Sequence, residues 1–456
     1  MSIKITDEGL KRVIGVPGFA LNIINGTIGA GIFALPAIVS IALGAFGIFS
    51  YLFCGIMMAA IMLCYTEIGS RVTTSGGSYA YVEAAFGPFA GFIINWLFLF
   101  GFGILGDAAI INIVADSLAV IFPVFQSLWV RGLLFFILIG FMVLVNVRGT
   151  KQGVAFVKLI AIIKILPLFA IIIFGFSHIK TANLHLEQVP SLKTFGNTIL
   201  ILFFAFAGFE TVLNVSGEIK NPKRTIPVGI LIGGVLVLII YLLLQTVTQG
   251  IFGTHMEAVK DAPLAAVAEK IIGPVGGIIL LIAAAVSCFG NVSGDVLLVP
   301  RLLFAGAQDA IFPKFLGKVH PKFATPYWAI IIYGSLIFIL SISGGFRQLA
   351  ILASASILII YLAVILATIK LRRKNEVIAE KAFKMPGGLT IPFIAIVAIV
   401  WLLTNLSKWE ILSTIIFISV ICVIYLVMKK YKKRKTILAT KKNDLVIHAD
   451  QDVTGF

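Results

Sequence analysis

Apolar residues in this chain run in long unbroken stretches, each close to the roughly 20 residues that a helix needs to cross a hydrocarbon core. Twelve such stretches are predicted as spans, near 15–39, 44–68, 88–121, 132–147, 153–177, 195–217, 226–251, 272–304, 326–343, 347–369, 387–406 and 411–428. The polar segments between them are short, and the longest on the outer side fall at about 178–194 and 252–271. The pattern predicts an all-α membrane protein whose solvent is the bilayer.

The placement of charge orients the spans. With the N-terminus inside, the inner segments hold 27 of the 36 Lys and Arg residues, the outer loops hold 7, and Lys158 and Lys164 remain within a span. The positive-inside rule then puts both termini in the cytoplasm, in a plasma (inner) membrane. Composition agrees: 60% of the 456 residues are hydrophobic and 12% charged, with a mean hydropathy of +1.08. The net charge of +16 is scattered in clusters between apolar runs, so it argues against a nucleic-acid partner. Its densest cluster, Lys429 to Lys435 with Lys441 and Lys442, reads as a tail attracted to anionic lipid. Cys54, Cys64, Cys288 and Cys422 lie in apolar runs and form no Cys-x-x-Cys pair, so no disulfide framework is expected. The first apolar run leads directly into further spans and reads as a retained helix. The five histidines lie in loops or the tail without ligand spacing, so no metal and no cofactor are expected.

Two spans depart from a plain helix. The first carries Gly26-Thr27-Ile28-Gly29-Ala30-Gly31-Ile32-Phe33 followed by Pro36, with three glycines in six residues at mid-membrane. The sixth carries Phe203-Phe204-Ala205-Phe206-Ala207-Gly208-Phe209-Glu210. They are five spans apart and therefore antiparallel, which points to an inverted repeat of five helices each with a site where two interrupted helices meet. An interrupted helix is tolerated in a membrane only where its freed backbone groups line a cavity or meet a ligand. A half-helix N-terminus suits a carboxylate and a half-helix C-terminus suits an ammonium. Close helix packing through small residues is the plainer account of these glycines.

Several segments resemble the amino acid–polyamine–organocation (APC) transporters. They are Gly29-Ala30-Gly31-Ile32-Phe33, Glu67-Ile68-Gly69-Ser70-Arg71 with Gly76-Gly77-Ser78-Tyr79-Ala80-Tyr81, and Gly208-Phe209-Glu210 with Glu218-Ile219-Lys220-Asn221-Pro222-Lys223-Arg224-Thr225-Ile226-Pro227. Phe312-Pro313, His320-Pro321 and Thr325-Pro326 complete the series. The matches run in order from about 15 to 330; the last two spans carry none. The resemblance implies a LeuT-like fold of twelve transmembrane helices: a 5+5 inverted-repeat transport core over 15–370, two added helices over 371–428, a cytoplasmic N-terminus at 1–14 and a basic cytoplasmic tail at 429–456. It further implies secondary active transport of amino acids or polyamines by alternating access. The amides around Gly29, Ala30, Gly31 and Ile32 would hold the substrate carboxylate, and the carbonyls around Phe204, Ala205, Phe206 and Ala207 its amino group.

Ionisable groups inside spans are functional candidates. Asp107, Glu210 and Asp295 fall, on the same resemblance, at positions facing the central cavity, where the arginine and polyamine exchangers of the family carry Asn or Trp at the first and third. Three acids there favour a second positive charge on the substrate, as in a cationic amino acid. A neutral substrate, with the acids bonded to Asn291, Asn112 or tyrosines or carrying protons, stays open. Along the fifth span Lys158 lies about 10 Å and Lys164 about 20 Å beyond Lys151, so Lys158 can snorkel and Lys164 cannot. Lys164 matches a position where some family members set a lysine in the space of a sodium ion, which implies proton coupling; a strut between helices 1 and 8 is the competing reading. Glu67, Glu218 and Arg301 read as interfacial anchors or parts of an inner gate. No nucleophile–base set and no phosphate-binding Gly-Lys motif occurs, so an enzyme is not expected. A channel or a non-transporting membrane sensor is the alternative of another class.

Overall fold

The computed structural model describes residues 14–29, 31–72, 76–148, 151–186, 189–308, 312–323, 325–373 and 383–429. Ala30, the first 13 residues and the basic stretch from 430 onward lie outside the described residues. Among the described residues the chain is helical, apart from one isolated bridge between Ile14 and Ile219. The helices are α1 (Val16–Thr27), α2 (Gly31–Leu43), α3 (Gly47–Arg71), α4 (Gly77–Phe86), α5 (Pro88–Trp96), α6 (Leu105–Ile121), α7 (Leu128–Arg148), α8 (Lys151–Gly175) and α9 (Leu192–Phe206). They continue as α10 (Pro222–Phe252), α11 (Pro263–Ile272), α12 (Pro274–Leu298), α13 (Pro300–Gln308), α14 (Tyr327–Ser343), α15 (Phe346–Arg373) and α16 (Thr390–Thr404), then α17 (Lys408–Lys429).

Eight helices among the described residues are long and apolar enough to cross a membrane, and three shorter apolar ones accompany them. Among them Gly31–Arg71 is one continuous run that takes in parts of the first two apolar stretches. The first stretch divides where α1 stops at Thr27 and α2 starts at Gly31. A 3₁₀ turn at Gly44–Phe46, with Gly44 at φ +57°, separates α2 from α3. The stretch from Pro88 to Ile121 is one helical run whose middle, Leu97–Ile104, is π-helical. Such a widened turn shifts the register of everything after it, a device common beside functional groups.

The core lies where α1, α3 and α10 pack together and where α6, α12 and α15 enclose the far side. α10, at 31 residues, spans about 46 Å, more than the hydrocarbon core of about 30 Å. It begins after Asn221, whose φ of +44° is the left-handed conformation that Asn tolerates better than most residues, and with a proline at its first position, where no N–H is missed. α7 and α17 bury few of their side chains; their exposed Leu133, Phe136, Ile416 and Leu426 suit a face against lipid tails. Cys54, Cys64 and Cys288 are buried free thiols and Cys422 is half-buried.

Beyond the core, the end of α3 is tied down by a buried carboxylate. Glu67 is fully buried and accepts from Arg71 at 2.9 Å, from Arg372 Nε at 2.8 Å and from a second nitrogen of Arg372. The Met385 N–H donates to it at 3.1 Å. Arg372 also donates to the Gly388 carbonyl, and the Phe383 N–H to Ser70. One side chain thus joins α3, α15 and the segment leading into α16. Glu67→Gln removes the charge that two guanidinium groups share. It is expected to destabilise the protein by about 3–5 kcal/mol, the order found when one partner of a buried ion pair is lost. Thermal unfolding of the purified protein in detergent reads this directly, and an unchanged midpoint would refute it.

Candidate functional site

The site is built on the two interruptions. α1 closes with the Ile28 N–H on the Ile24 carbonyl and the Gly29 N–H on the Thr27 carbonyl. α9 closes at Phe206, after which Ala207 is extended and Gly208 takes φ +116°. A 3₁₀ segment, Phe209–Glu218, follows. The conformation of Gly208 lets the two backbones touch: a Cβ there would lie 2.5 Å from the Gly26 carbonyl oxygen. The far sides of the two interruptions meet as well. A Cβ on Gly31, the first residue of α2, would lie 3.0 Å from the Cβ of Ala205. The N-terminus of α2, whose first N–H groups have no acceptor within their own helix, therefore abuts the C-terminus of α9, whose last carbonyls have no donor within theirs. Complementary partial charges face each other across a few ångströms.

Side chains from other helices satisfy what the interruptions free. Lys164 of α8 is buried and its ammonium donates to the carbonyls of Asn25 and Ile28, each at 2.6 Å. It stands beside Cys288 of α12 and makes no ion pair among the described residues. The side chain of Lys158 is outside what is described. The Tyr241 hydroxyl of α10 lies 3.0 Å from the Thr27 carbonyl and 2.8 Å from that of Ala205. One phenol thus bridges both interruptions, its single proton shared between two acceptors.

The three acids divide into two settings. Glu210 is buried; its carboxylate accepts the Gly208 N–H at 3.1 Å with both oxygens and the Tyr361 hydroxyl at 2.7 Å. It caps its own interruption. Asp107 of α6 and Asp295 of α12 face each other within hydrogen-bonding reach, and Asp107 accepts the Tyr333 hydroxyl of α14 at 2.8 Å. A Cβ on Gly294 would meet nothing within 4 Å and one on Gly106 only the rim of the Phe204 ring. Gly103, in the π-helical turn, leaves room for the Tyr333 hydroxyl, which a Cβ there would approach to 3.1 Å.

Other expected site residues are distributed around this centre. Gly29 faces the Asn291 amide, which a Cβ would meet at 2.8 Å, and Ile32 is fully buried. Phe204 packs edge-on against Phe346, while Phe206 turns toward Tyr51 and Tyr241. Asn112 does not reach the acids: it bonds Arg131 and the carbonyls of Ser341 and Gly344. Tyr241, Tyr333 and Tyr361 were not singled out in the sequence, although a phenol deep in a span always needs a partner. Among the described residues no group of three His, Cys, Asp or Glu side chains could hold a metal ion.

Comparison with known proteins agrees with the resemblance seen in the motifs. A family profile described as "Amino acid permease" matches residues 14–429. The Serine/threonine exchanger SteT of Bacillus subtilis is 31% identical over 86% of this chain and 90% of its own length. The Branched-chain amino acid permease BcaP of the same organism is 27% identical, covering 94% and 95%. Cationic amino acid transporter 4, vacuolar, of Arabidopsis thaliana is 26% identical, covering 76% and 61%. With interrupted helices meeting in a buried centre, and a family match that takes in almost every helix, this chain belongs to the amino acid permease family.

Proposed function

We propose that the protein is a secondary active amino acid transporter working by alternating access. Twelve spans would form a ten-helix inverted-repeat core with two added helices, in the plasma membrane, with both termini cytoplasmic. The observation that carries the reading is the juxtaposition of the α2 N-terminus and the α9 C-terminus at Gly31 and Ala205. When the two ends part during the cycle, a zwitterion bridges them without help from a charged side chain: its carboxylate takes the N–H groups of Gly31, Ile32 and Ala30, and its ammonium takes carbonyls of Phe204, Ala205, Phe206 or Ala207. A channel has no use for paired interruptions of this kind.

A cationic amino acid is the favoured substrate. What supports this is that the carboxyl groups of Asp107 and Asp295 are neighbours, so that a side-chain cation between them would be paired with negative charge. Glu210, engaged by Gly208 and Tyr361, shapes the interruption and adds negative potential. Lys164 is the proton-coupling group. Two of the relatives are named for serine and threonine or branched-chain amino acids, which supports a second reading: a neutral substrate, with the acid pair handling protons.

Counterflow in proteoliposomes separates the two. Vesicles loaded with unlabelled arginine, lysine, ornithine, leucine or alanine are offered the matching labelled compound at two pH values. Saturable counterflow of a basic amino acid is expected, and its absence with all five would remove the transporter reading. Asp107→Asn is expected to weaken basic-substrate counterflow about tenfold, roughly the worth of one hydrogen bond to a charged group, with little effect on neutral substrates. Equal losses for both would end its role as side-chain partner.

A further inference from the structure

Between α3 and α10 lies a recess of about 300 Å³ that is separate from the acid pair and the Gly31–Ala205 contact. Its walls are almost entirely carbon, with Met58, Met62 and Leu238 among them. Its mouth is made by Ala59, Val228, Leu231 and Val235, all exposed, on helices apolar and long enough to cross a membrane. The mouth therefore opens into hydrocarbon. The floor is formed by Thr27 and Phe206, the last residues of α1 and α9. The Thr27 hydroxyl is buried and has no hydrogen-bond partner among the described residues. Less than two helical turns from the recess, at the start of α10, Lys223 and Arg224 are exposed.

We infer that this recess is a phospholipid site, with one acyl chain seated in it down to Thr27 and Phe206 and an anionic headgroup on Lys223 and Arg224. Protein interiors do not keep voids of this size, and an apolar cavity of about half the volume already takes up benzene. Water finds no partners along carbon walls, and a zwitterionic substrate would lose its solvation there without compensation. A helix of a second copy, about 10 Å across, is too thick to enter. A single hydrocarbon chain is thin enough, is present at the mouth, and leaves its phosphate at the depth where the two cations emerge. Because its floor is the end of both interrupted helices, the occupied recess bears on the elements that alternating access must move.

The test uses the full chain in phosphatidylcholine vesicles containing a small fraction of phosphatidylglycerol that carries a photoreactive diazirine in mid-chain. After irradiation, adducts are mapped by peptide mass spectrometry. They are expected to concentrate on residues 58–66 and 227–238, well above Leu133 and Phe136 of α7, which are equally lipid-exposed. Ala59→Phe and Val235→Phe plug the mouth from positions that already face lipid, so at least one will fold. Each is expected to lower the recess adduct about tenfold, the loss of roughly two buried methylene groups. Lys223→Gln with Arg224→Gln is expected to bring the phosphatidylglycerol yield down to that of a phosphatidylcholine probe. Adducts spread evenly over α7 and α10, or an unchanged yield in the folded plug variants, would overturn the assignment. Protection of Leu231 confined to a dimer fraction would give the recess to a second copy and overturn it too. Counterflow of the same variants reports on the transporter reading independently.

Discussion

Gly208→Ala is expected to abolish transport and to lower the yield of folded protein. Two costs coincide at this residue. Its φ of +116° is a conformation that L side chains rarely adopt, at about 1–3 kcal/mol. The added methyl would also stand 2.5 Å from the Gly26 carbonyl oxygen and 3.0 Å from its carbon. Both are backbone atoms of the other interruption and cannot swing aside as a side-chain tip would. Relief requires α1 and α9 to separate, which would break the bridge that Tyr241 makes between Thr27 and Ala205. Gly26→Ala is the milder partner, since its Cβ would lie 3.2 Å from the Gly208 oxygen and it needs no positive φ. Gly140→Ala, where nothing lies within 4 Å, is the neutral control. Elution profile and counterflow measured on the three variants should rank Gly208 worst, then Gly26, then Gly140. Wild-type counterflow in Gly208→Ala would refute the close contact between the interruptions.

The reason this contact was half-visible in the sequence is instructive. Three glycines in six residues at mid-membrane mark a place where a helix gains little by continuing, and that signal is local. The acids at 107, 210 and 295 were also readable, because any ionisable residue in an apolar run stands out. What each acid faces was not readable. Glu210 turns back on the Gly208 N–H, two residues away, and takes a proton donor from Tyr361, 151 residues distant. The sequence treats Glu210 and Asp295 alike; tertiary packing gives one a phenol and an amide, and the other a second carboxyl. The π-helical turn at Leu97–Ile104 is hidden for a related reason. Its residues are as apolar as an α-helix at the same depth, and only the fit of Gly101 and Gly103 against Ser356 and Tyr333 distinguishes it. The recess between α3 and α10 is still less legible, since a void belongs to no residue. It lies between two helices that approach closely where Gly55 meets Leu238, both of which line it.

Lys164→Ala is the second large expected effect. The lysine reaches from α8 to the end of α1 and gives its ammonium to two carbonyls at 2.6 Å. Hydrogen bonds to charged groups are worth about 1.5–3 kcal/mol each, and truncation takes from the Asn25 and Ile28 carbonyls the donor that Lys164 supplies. The end of α1 would loosen beside the contact between Gly26 and Gly208. Uptake driven by a proton gradient is expected to fall at least tenfold, roughly the loss of one such bond, while counterflow, which needs no gradient, persists at a lower level. The pH profile decides what the ammonium does. If it gives up and regains a proton in each cycle, releasing and recapturing the α1 carbonyls, then Lys164→Ala transports the same amount at acid and alkaline pH. If it is a fixed strut, the variant is slower at every pH with the wild-type profile preserved. Lys164→Arg sharpens the contrast, because a guanidinium holds its proton throughout. A strut is partly restored by Arg; a proton carrier is not. On the proposed role the carrier outcome is expected: among the described residues the ammonium pairs with no carboxylate, and it donates to carbonyls at the end of α1.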